Sequence, residues 1–279
     1  RAVLAESSAQ LALAASERDA ASARASLEFL TDALSAASPD AAMSTQVRVR
    51  DLLDAARRKL EARDRSDGSF TQRMQRLLGS LYSQLGEIRI ARDLLHDGLA
   101  GVVPKDSVDA LRLADDYEDY SMVLGMLEEG DAALAAAQNA ARWREQYAPD
   151  DKVLRVRSLQ MLAMVVHRAG KDEEAIDMLR QAYRLGIDEA IADIDIRLES
   201  AQLLASLLAT RGDCEEALQV ADDGLARAGE ELPTDAPAKL PLMRARALAF
   251  NACGRPADAE AVFRAAIALQ ERVAGGGGS

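Results

Sequence analysis

Residues 78–99 read LGSLYSQLGEIRIARDLLHDGL, and this stretch decides the fold class of the 279-residue chain. Leu78 and Tyr82 are one helical turn apart, so both lie on one face of a helix. Gly86 follows, and glycine readily adopts the left-handed backbone that ends a helix. Ala91, five residues later, is small enough for a second helix to pack closely against the first. The stretch therefore predicts a helical hairpin.

The same pattern recurs along the chain. Each copy has a glycine that ends one helix and an alanine five residues later in the next helix. The glycines are Gly86, Gly130, Gly170, Gly212 and Gly254, spaced by 44, 40, 42 and 42 residues. The alanines are Ala91, Ala135, Ala175, Ala217 and Ala259. Self-similarity at such a period indicates a repeat protein whose copies stack on one another.

Two further columns agree with this register. Seven residues before each glycine the first helix has a small or modest side chain, namely Gly79, Val123, Ala163, Ala205 and Ala247. Four residues before each glycine it has a large apolar side chain, namely Tyr82, Met126, Val166, Leu208 and Phe250. The first column predicts the close crossing of the two helices, and the second predicts core positions.

The first copy closely resembles the tetratricopeptide repeat. The matching residues are Leu78, Gly79, Tyr82, Gly86 and Ala91. The resemblance implies an all-α, right-handed solenoid of about five tetratricopeptide-like helical hairpins, whose first helices line a concave groove. The second copy fits the family least well, because Asn139 and Arg142 fall where the family has apolar or small residues.

We predict the helical hairpins at residues 69–100, 107–147, 151–186, 189–229 and 237–273. Two more helices, 2–37 and 44–65, precede them and are separated by Ser38-Pro39-Asp40. The second has an apolar face and is expected to cap the first repeat. That face consists of Val49, Leu52, Leu53, Ala56 and Leu60. The predicted domains are a juxtamembrane-like helix with a capping helix (1–66), the repeats (67–273) and a flexible linker of engineered composition (274–279).

The segment before the repeats resembles that of certain bacterial transmembrane serine/threonine kinases. The resemblance covers about 26 positions and rests on Phe29, Leu30, Leu34, Ser38, Pro39, Val49, Arg50, Asp51, Leu52, Leu53 and Asp54. In that family a cytoplasmic kinase precedes one membrane helix, and an Ala/Arg-rich helix leads into extracytoplasmic tetratricopeptide repeats. The resemblance implies a periplasmic or extracytoplasmic sensor domain, tethered by an upstream membrane helix. The chain itself has no kinase motif.

Composition narrows the class of partner. The formal charge of −12 and the pI near 4.8 argue against nucleic acid or an anionic membrane surface, since both attract clusters of Lys and Arg. No apolar run approaches the ~20 residues of a membrane-spanning helix. His96 and His167 lie in different repeats without nearby metal-ligand patterns, so we expect no metal, no cofactor and no catalytic site.

The repeat register also predicts a binding surface for a protein or peptide. Residues 13, 10, 6 and 3 before each glycine are expected to face the concave groove. The candidate binding residues are Arg73, Arg76, Tyr117, Tyr120, Arg157, Gln160, His167, Gln202, Arg244 and Asn251. Arginines exceed acidic residues in this set, so an acidic or extended peptide is the expected partner, with the two tyrosines as anchors. The alternative is that these side chains are simply solvated.

Cys214 and Cys253 are the two cysteines, 39 residues apart. Cys214 starts the second helix of one hairpin, and Cys253 ends the first helix of the next. Those helices are antiparallel neighbours, so the register places the two residues at the same edge, within reach of a disulfide. Two unlinked thiols remain the alternative, since free cysteine also behaves as a small hydrophobe.

Two functional hypotheses follow. The first is a ligand- or protein-binding sensor domain of a transmembrane kinase, with dimerisation through the N-terminal helix as an additional hypothesis. The second is a cytoplasmic tetratricopeptide scaffold or co-chaperone adaptor. The two differ in what precedes residue 1, so an upstream membrane span and kinase motifs would discriminate between them.

Overall fold

The computed structural model describes residues 24, 49–62, 68–188 and 191–275. Within these residues lie eleven α-helices. In chain order they are α1 (Val49–Ala62), α2 (Gly68–Gln84), α3 (Ile88–Leu99), α4 (Ser107–Met126), α5 (Gly130–Tyr147), α6 (Lys152–Arg168), α7 (Asp172–Asp188), α8 (Ile194–Arg211), α9 (Cys214–Glu231), α10 (Leu240–Ala252) and α11 (Pro256–Gly275). The chain divides into two compact units, residues 1–102 and 103–279.

The first unit contains the capping helix α1 and the hairpin α2–α3. Leu53, Ala56 and Leu60 of α1 are buried, and α1 packs against α2. The Tyr82 hydroxyl of α2 donates a hydrogen bond to Asp54 Oδ1 of α1 over 2.7 Å. The predicted apolar face of α1 therefore packs against the repeat except at the start of the helix, where Val49 is 60% exposed.

The second unit contains four consecutive hairpins, α4–α5, α6–α7, α8–α9 and α10–α11. Each helix packs against its hairpin partner, and the second helix of each hairpin packs against the first helix of the next. The first helices α4, α6, α8 and α10 also contact one another in that order. This is the stacking of a helical-repeat solenoid, so the predicted all-α fold of tetratricopeptide-like hairpins behind a capping helix is confirmed.

Aspartates start three of the four first helices in the second unit. Asp106 Oδ1 accepts from the Asp109 amide over 2.9 Å, and Asp151 Oδ1 accepts from the Leu154 amide over 3.0 Å. Asp193 Oδ1 accepts in the same way from the Ile196 amide. Each side chain satisfies an amide that has no partner within its helix, which stabilises the start.

The register of the second hairpin differs from the prediction. The turn residue with positive φ is Glu128 (φ 62°), whereas Gly130 is the first residue of helix α5. The other four hairpins turn at the predicted glycines, which are Gly86, Gly170, Gly212 and Gly254. The five turn residues are therefore spaced by 42 residues throughout, and the apparent spacings of 44 and 40 came from Gly130.

The shifted register gives uniform columns. Five residues after the turn residue stand Ala91, Ala133, Ala175, Ala217 and Ala259, none more than 1% exposed. Seven residues before it stand Gly79, Ser121, Ala163, Ala205 and Ala247, all buried. Four residues before it stand Tyr82, Leu124, Val166, Leu208 and Phe250, all buried. In the second copy the predicted members Ala135 and Met126 are exposed, and Val123, although buried, lies two residues from the crossing position.

Some predictions lie outside the described residues. These are the helix over 2–37 apart from Arg24, the break at Ser38-Pro39-Asp40 and the glycine tail after Gly275. The extents of the predicted domains and dimerisation through the N-terminal helix stay predictions.

Candidate functional site

The candidate site is the surface formed by the first helices of the second unit. We define the first-helix face as the residues 13, 10, 6 and 3 positions before the turn residue of each of its four hairpins. With the turn at Glu128, it consists of Asp115, Glu118, Met122, Gly125, Arg157, Gln160, Met164, His167, Glu199, Gln202, Ser206, Ala209, Pro241, Arg244, Leu248 and Asn251. These helices contact in sequence, so equivalent residues of neighbouring hairpins follow one another.

The shift of the second hairpin removes the two predicted aromatic anchors from this face. Tyr117 and Tyr120 are half-buried and pack against the cluster that contains Leu124 and Val165. The register counted from Gly130 was wrong for this hairpin, and it had placed the two tyrosines on the face. Their role as anchors stays a prediction.

A buried arginine holds the two carboxylates that replace them. Arg144 of α5 is 3% exposed, and its Nη2 donates to Asp115 Oδ1 over 2.8 Å and to Glu118 Oε2. Burial by itself lowers the pKa of Arg144. The hydrogen bonds and charges of Glu118 and Asp115 raise the pKa by more than burial lowers it, so the net pKa is raised and the side chain stays positively charged. Arg144 could not be predicted from the sequence, because it lies 29 and 26 residues from Asp115 and Glu118 along the chain and such a separation gives no local signal.

Two predicted binding residues have structural roles instead. Gln160 is buried, and its Nε2 donates to Ser200 Oγ over 2.9 Å and to the Ile196 carbonyl over 3.3 Å, which links α6 to α8. In the first unit Arg76 is buried, and its Nη1 donates to the Gly98 carbonyl over 2.7 Å. Both predictions were wrong, since neither side chain is available to a ligand.

The other predicted residues remain accessible to different degrees. Arg157, Arg244 and Asn251 are exposed, and Gln202 and His167 are half-buried. His167 Nδ1 lies 2.6 Å from Asp172 Oδ1, and Gln202 Nε2 donates to Ser206 Oγ over 3.4 Å. Arg73 belongs to the first unit, where its guanidinium lies 6.0 Å from the Phe70 ring centroid. Their role in binding stays a prediction.

Charges of both signs meet in the middle of the first-helix face. Desolvation raises the pKa of Glu199, the neighbouring carboxylates Glu118 and Asp193 act in the same direction, and Arg157 opposes them. With Asp115 and Glu118 on the face and Arg76 removed from the set, the excess of arginines that suggested an acidic partner no longer holds. The face of the second unit is mixed in charge.

An apolar line runs between these charges. The residue six positions before the turn is Met122, Met164, Ser206 and Leu248 in the four hairpins. Met122 is 46% exposed, Leu248 is 48% exposed and Met164 is half-buried. Large apolar side chains therefore reach the surface at the same repeat position in three of the four hairpins, which distinguishes them from singly scattered exposed apolar residues.

Cys214 and Cys253 form a disulfide in the structure, with Cα atoms 5.3 Å apart. The bond joins the start of α9 to the residue after α10, at one edge of the second unit. Its Cα separation lies within the range that an unstrained disulfide allows.

In the described ranges, no three His, Cys, Asp or Glu side chains lie together as metal ligands would. Nor does any helix there combine the length and apolar character that crossing a bilayer requires.

Solved structures share this fold. A Podosopora anserina protein with nearly identical TPR-like repeats of the kinesin light chain type matches at 19% identity and a TM-score of 0.59, over 72% of this chain and 95% of that one. BtubC from P. vanneervenii matches at 17% identity and a TM-score of 0.59, over 80% and 88% of the two chains. Aspartyl phosphate phosphatase F from Bacillus subtilis matches at 13% identity and a TM-score of 0.61, over 83% and 58%.

No protein-family profile and no curated protein sequence matches the chain. The similarity to the solved structures is therefore one of fold, and that fold is the tetratricopeptide-like repeat.

Proposed function

We propose that the second unit binds an extended peptide or protein segment along its first-helix face. The observation that carries this proposal is the apolar line of Met122, Met164 and Leu248. Exposing these side chains to water in the free protein is unfavourable, and covering them with apolar groups of a partner would be favoured at about 25 cal/mol per Å². Methionine also adapts its shape to different partners.

The spacing of the line suits an extended chain. Packed helices have axes about 8–10 Å apart, and an extended peptide advances about 3.3 Å per residue. Every third residue of the peptide would then meet the next hairpin. Carboxylates (Asp115, Glu118) and arginines (Arg157, Arg244) border the line. We therefore propose a partner with apolar residues at this spacing and charged residues of both signs between them.

Peptide selection with single-residue variants tests this proposal. Peptides would be selected from a random 12-residue phage-displayed library on the folded chain, and the affinity of the selected peptides would be measured by calorimetry. Met122→Glu and Leu248→Glu are expected to weaken binding tenfold or more, because each buries a charge against an apolar group. Ile267→Glu is the matched control, since Ile267 is 56% exposed on the second helix α11. Equal affinities for all three variants would exclude the first-helix face.

The finer proposal is that this binding module is the extracytoplasmic sensor of a transmembrane serine/threonine kinase. It is supported by the resemblance of residues 29–54 to that family, and the Cys214–Cys253 disulfide agrees with an oxidising compartment. The fold is equally compatible with a cytoplasmic scaffold or adaptor. Reading the gene upstream of residue 1 separates the two, because only the sensor requires a membrane span and kinase motifs there. An upstream gene sequence without a membrane span and kinase motifs would contradict the sensor proposal.

A further inference from the structure

The first-helix face carries charges of opposite sign at its two ends. Ten residues before the turn of each hairpin, and so one helical turn before the apolar line, the side chain is in chain order an acid, an amide, an amide and a base. These residues are Glu118, Gln160, Gln202 and Arg244. Residues four apart on a helix are neighbours on one face. Glu118 therefore neighbours Met122 at one end of the line, and Arg244 neighbours Leu248 at the other.

The acidic end is fixed from beneath. Asp115 and Glu118 both accept a hydrogen bond from Nη2 of the buried Arg144. One guanidinium thus serves two carboxylates, which leaves an excess of negative charge at α4. The side chain of Asp115 is 71% exposed, so this charge is accessible from solvent. The hydrogen bonds already restrict the two carboxylates, which lowers the entropy that a partner would lose by ordering them.

The charges in the middle of the face offset one another. Arg157 and Glu199 occupy equivalent positions in α6 and α8. Desolvation raises the pKa of Glu199, Glu118 and Asp193 act in the same direction, and Arg157 opposes them, so these groups interact across neighbouring helices. A cation between carboxylates contributes little net charge. The uncompensated charges of the face are therefore at its ends, in α4 and in α10.

The complete helices at the two ends differ in the same way. α4 contains five acidic residues and one arginine, whereas α10 contains two arginines and no acidic residue. By contrast, the second helix α9 contains six acidic residues and one arginine. The basic character of α10 is thus a local departure from a chain whose net charge is −12. The charges of the whole end helices reinforce those of the face residues.

Other charges of α6, α8 and α10 are directed elsewhere. Lys152 and Arg155 lie in the first turn of α6, and Asp195 lies in the first turn of α8, before the face residues begin. Three arginines of α8 and α10 form ion pairs with carboxylates of α9 or of the residue before it. The pairs are Arg197–Glu231, Arg211–Asp213 and Arg246–Asp222.

One further cation approaches α4. Arg168 of α6 extends over Gly125, where an added Cβ would lie 2.5 Å from its Nη1. Gly125 is seven residues after Glu118, which is about 10 Å along the helix. Arg168 therefore lies near the opposite edge of the face and leaves the exposed carboxylate of Asp115 accessible.

We propose that the first-helix face binds a segment with ends of opposite charge, its basic end over α4 and its acidic end over α10. A lysine or arginine beside the apolar residue that meets Met122 contacts Asp115 and Glu118. An aspartate or glutamate beside the apolar residue that meets Leu248 contacts Arg244. At about 9 Å per hairpin, these two apolar residues are about nine positions apart in an extended segment. This charge order rests on the proposed function, because it requires a segment that lies along the apolar line.

Four 12-residue peptides with blocked termini test the charge order. Each has leucine at its second, fifth and eleventh positions and serine at the other inner positions. The two end residues are Lys and Asp, Lys and Lys, Asp and Asp, or Ser and Ser. In calorimetry at low salt, the Lys/Asp peptide should bind about threefold to tenfold more tightly than the Ser/Ser peptide, because each exposed ion pair contributes a small factor. The Lys/Lys and Asp/Asp peptides should bind more weakly than the Lys/Asp peptide, and added salt should reduce these differences.

Variants assign each end. Arg244→Glu reverses the charge at α10 and should make the Lys/Lys peptide the tightest of the four, a change of order that a folding defect cannot produce. Asp115→Asn should reduce the advantage of the Lys/Asp peptide over the Asp/Asp peptide. Arg264→Glu is the matched control and should keep the parent's order, since Arg264 lies on the second helix α11 with a side chain 77% exposed.

Paramagnetic broadening in methyl NMR locates the bound ends on the whole chain. A nitroxide at the lysine end of the Lys/Asp peptide should broaden the methyl resonance of Met122, and one at the aspartate end should broaden those of Leu248. The opposite pattern, or an unchanged order of affinities in Arg244→Glu, would overturn the charge order. If all four peptides bound equally and Met122→Glu weakened each, the proposed function would stand and the charge order would fall. Binding of none of the four would also overturn the charge order, and the library selection would then decide the proposed function by itself.

Discussion

At the scale of single residues, Glu128 is the most informative position. It occupies the turn that glycine fills in the other four hairpins, and its φ of 62° lies in the left-handed region, where a side chain costs about 1–2 kcal/mol. The turn forms there because the flanking columns, including Leu124 and Ala133, bury their side chains only in this register. Packing of the two helices thus outweighs the backbone preference of one residue.

Glu128→Gly should therefore stabilise the chain. Glycine relieves the strain of the left-handed backbone, which stabilises the folded state. It also increases the conformational entropy of the unfolded chain, which offsets part of this stabilisation. We therefore expect a net increase of about 0.5 to 1 kcal/mol in the free energy of unfolding. Urea denaturation measures it. The adjacent Glu129→Gly, at φ −84°, is the control and should not stabilise. Stabilisation by the control alone would place the turn elsewhere.

A pair of alanines tests the same register through packing. Ala133 is 1% exposed at the crossing of α4 and α5, whereas Ala135 is exposed. We expect Ala133→Leu to overpack the crossing and to lower the stability by about 1–3 kcal/mol, and Ala135→Leu to change it little. Ala217→Leu, at the equivalent buried position of the fourth hairpin, should behave like Ala133→Leu. Thermal unfolding compares the stability of the three variants. A larger loss of stability in Ala135→Leu than in Ala133→Leu would show that the register counted from Gly130 is correct.

These positions also show what the sequence could and could not predict about the site. In the four copies with a turn glycine, the columns were found correctly from spacing alone. In the second copy a glycine two residues away concealed the turn, and the error placed two tyrosines on the first-helix face. Arg144 and Gln160 act through contacts between helices that are distant in sequence, and spacing within a repeat does not contain that information.

At the scale of elements, the helices were predicted well because each repeat combines a local stop with an apolar face. The predicted hairpin at 107–147 compares with α4 and α5, which run from Ser107 to Tyr147. The predicted capping helix at 44–65 compares with α1 at Val49–Ala62. Both signals are short-range, so a single sequence is sufficient to place them.

The disulfide connects two such elements, and its removal should destabilise the second unit. It closes a loop with a sequence separation of 39 residues, for which the chain-entropy relation gives about 4 kcal/mol. We expect Cys214→Ser with Cys253→Ser to lower the free energy of unfolding by about 2–4 kcal/mol relative to the oxidised protein. The reduced protein should behave like the double variant in urea denaturation. Two free thiols in denatured, unreduced protein prepared under oxidising conditions would contradict the bond.

At the scale of the whole second unit, polar contacts link α7 and α9 beside the apolar core. Arg180 Nε and Nη2 donate to both carboxylate oxygens of Glu216 over 2.9 and 2.7 Å, and the Tyr183 hydroxyl donates to Asp223 Oδ2 over 2.5 Å. The hydrogen bonds from Arg180 hold the pKa of Glu216 below its usual value, and the hydrogen bond from Arg227, followed by that from Tyr183, lowers the pKa of Asp223. The stability of the packed repeats therefore depends on pH through these two carboxylates.

Stability should consequently fall in acid, and Glu216 should account for part of the loss. A carboxylate whose pKa is lower in the folded state stabilises the protein above its unfolded pKa of about 4.3, and this contribution disappears as the pH falls through the lower, folded value. Glu216→Gln removes the titration, so the variant should be less stable than the parent at pH 7 and should approach it in stability below about pH 4. Glu215→Gln, at the exposed neighbouring residue, is the control and should run parallel to the parent. Urea denaturation between pH 3 and pH 7 measures all three proteins. A constant difference between Glu216→Gln and the parent across this range would mean that the contact between Arg180 and Glu216 stabilises by packing rather than by charge.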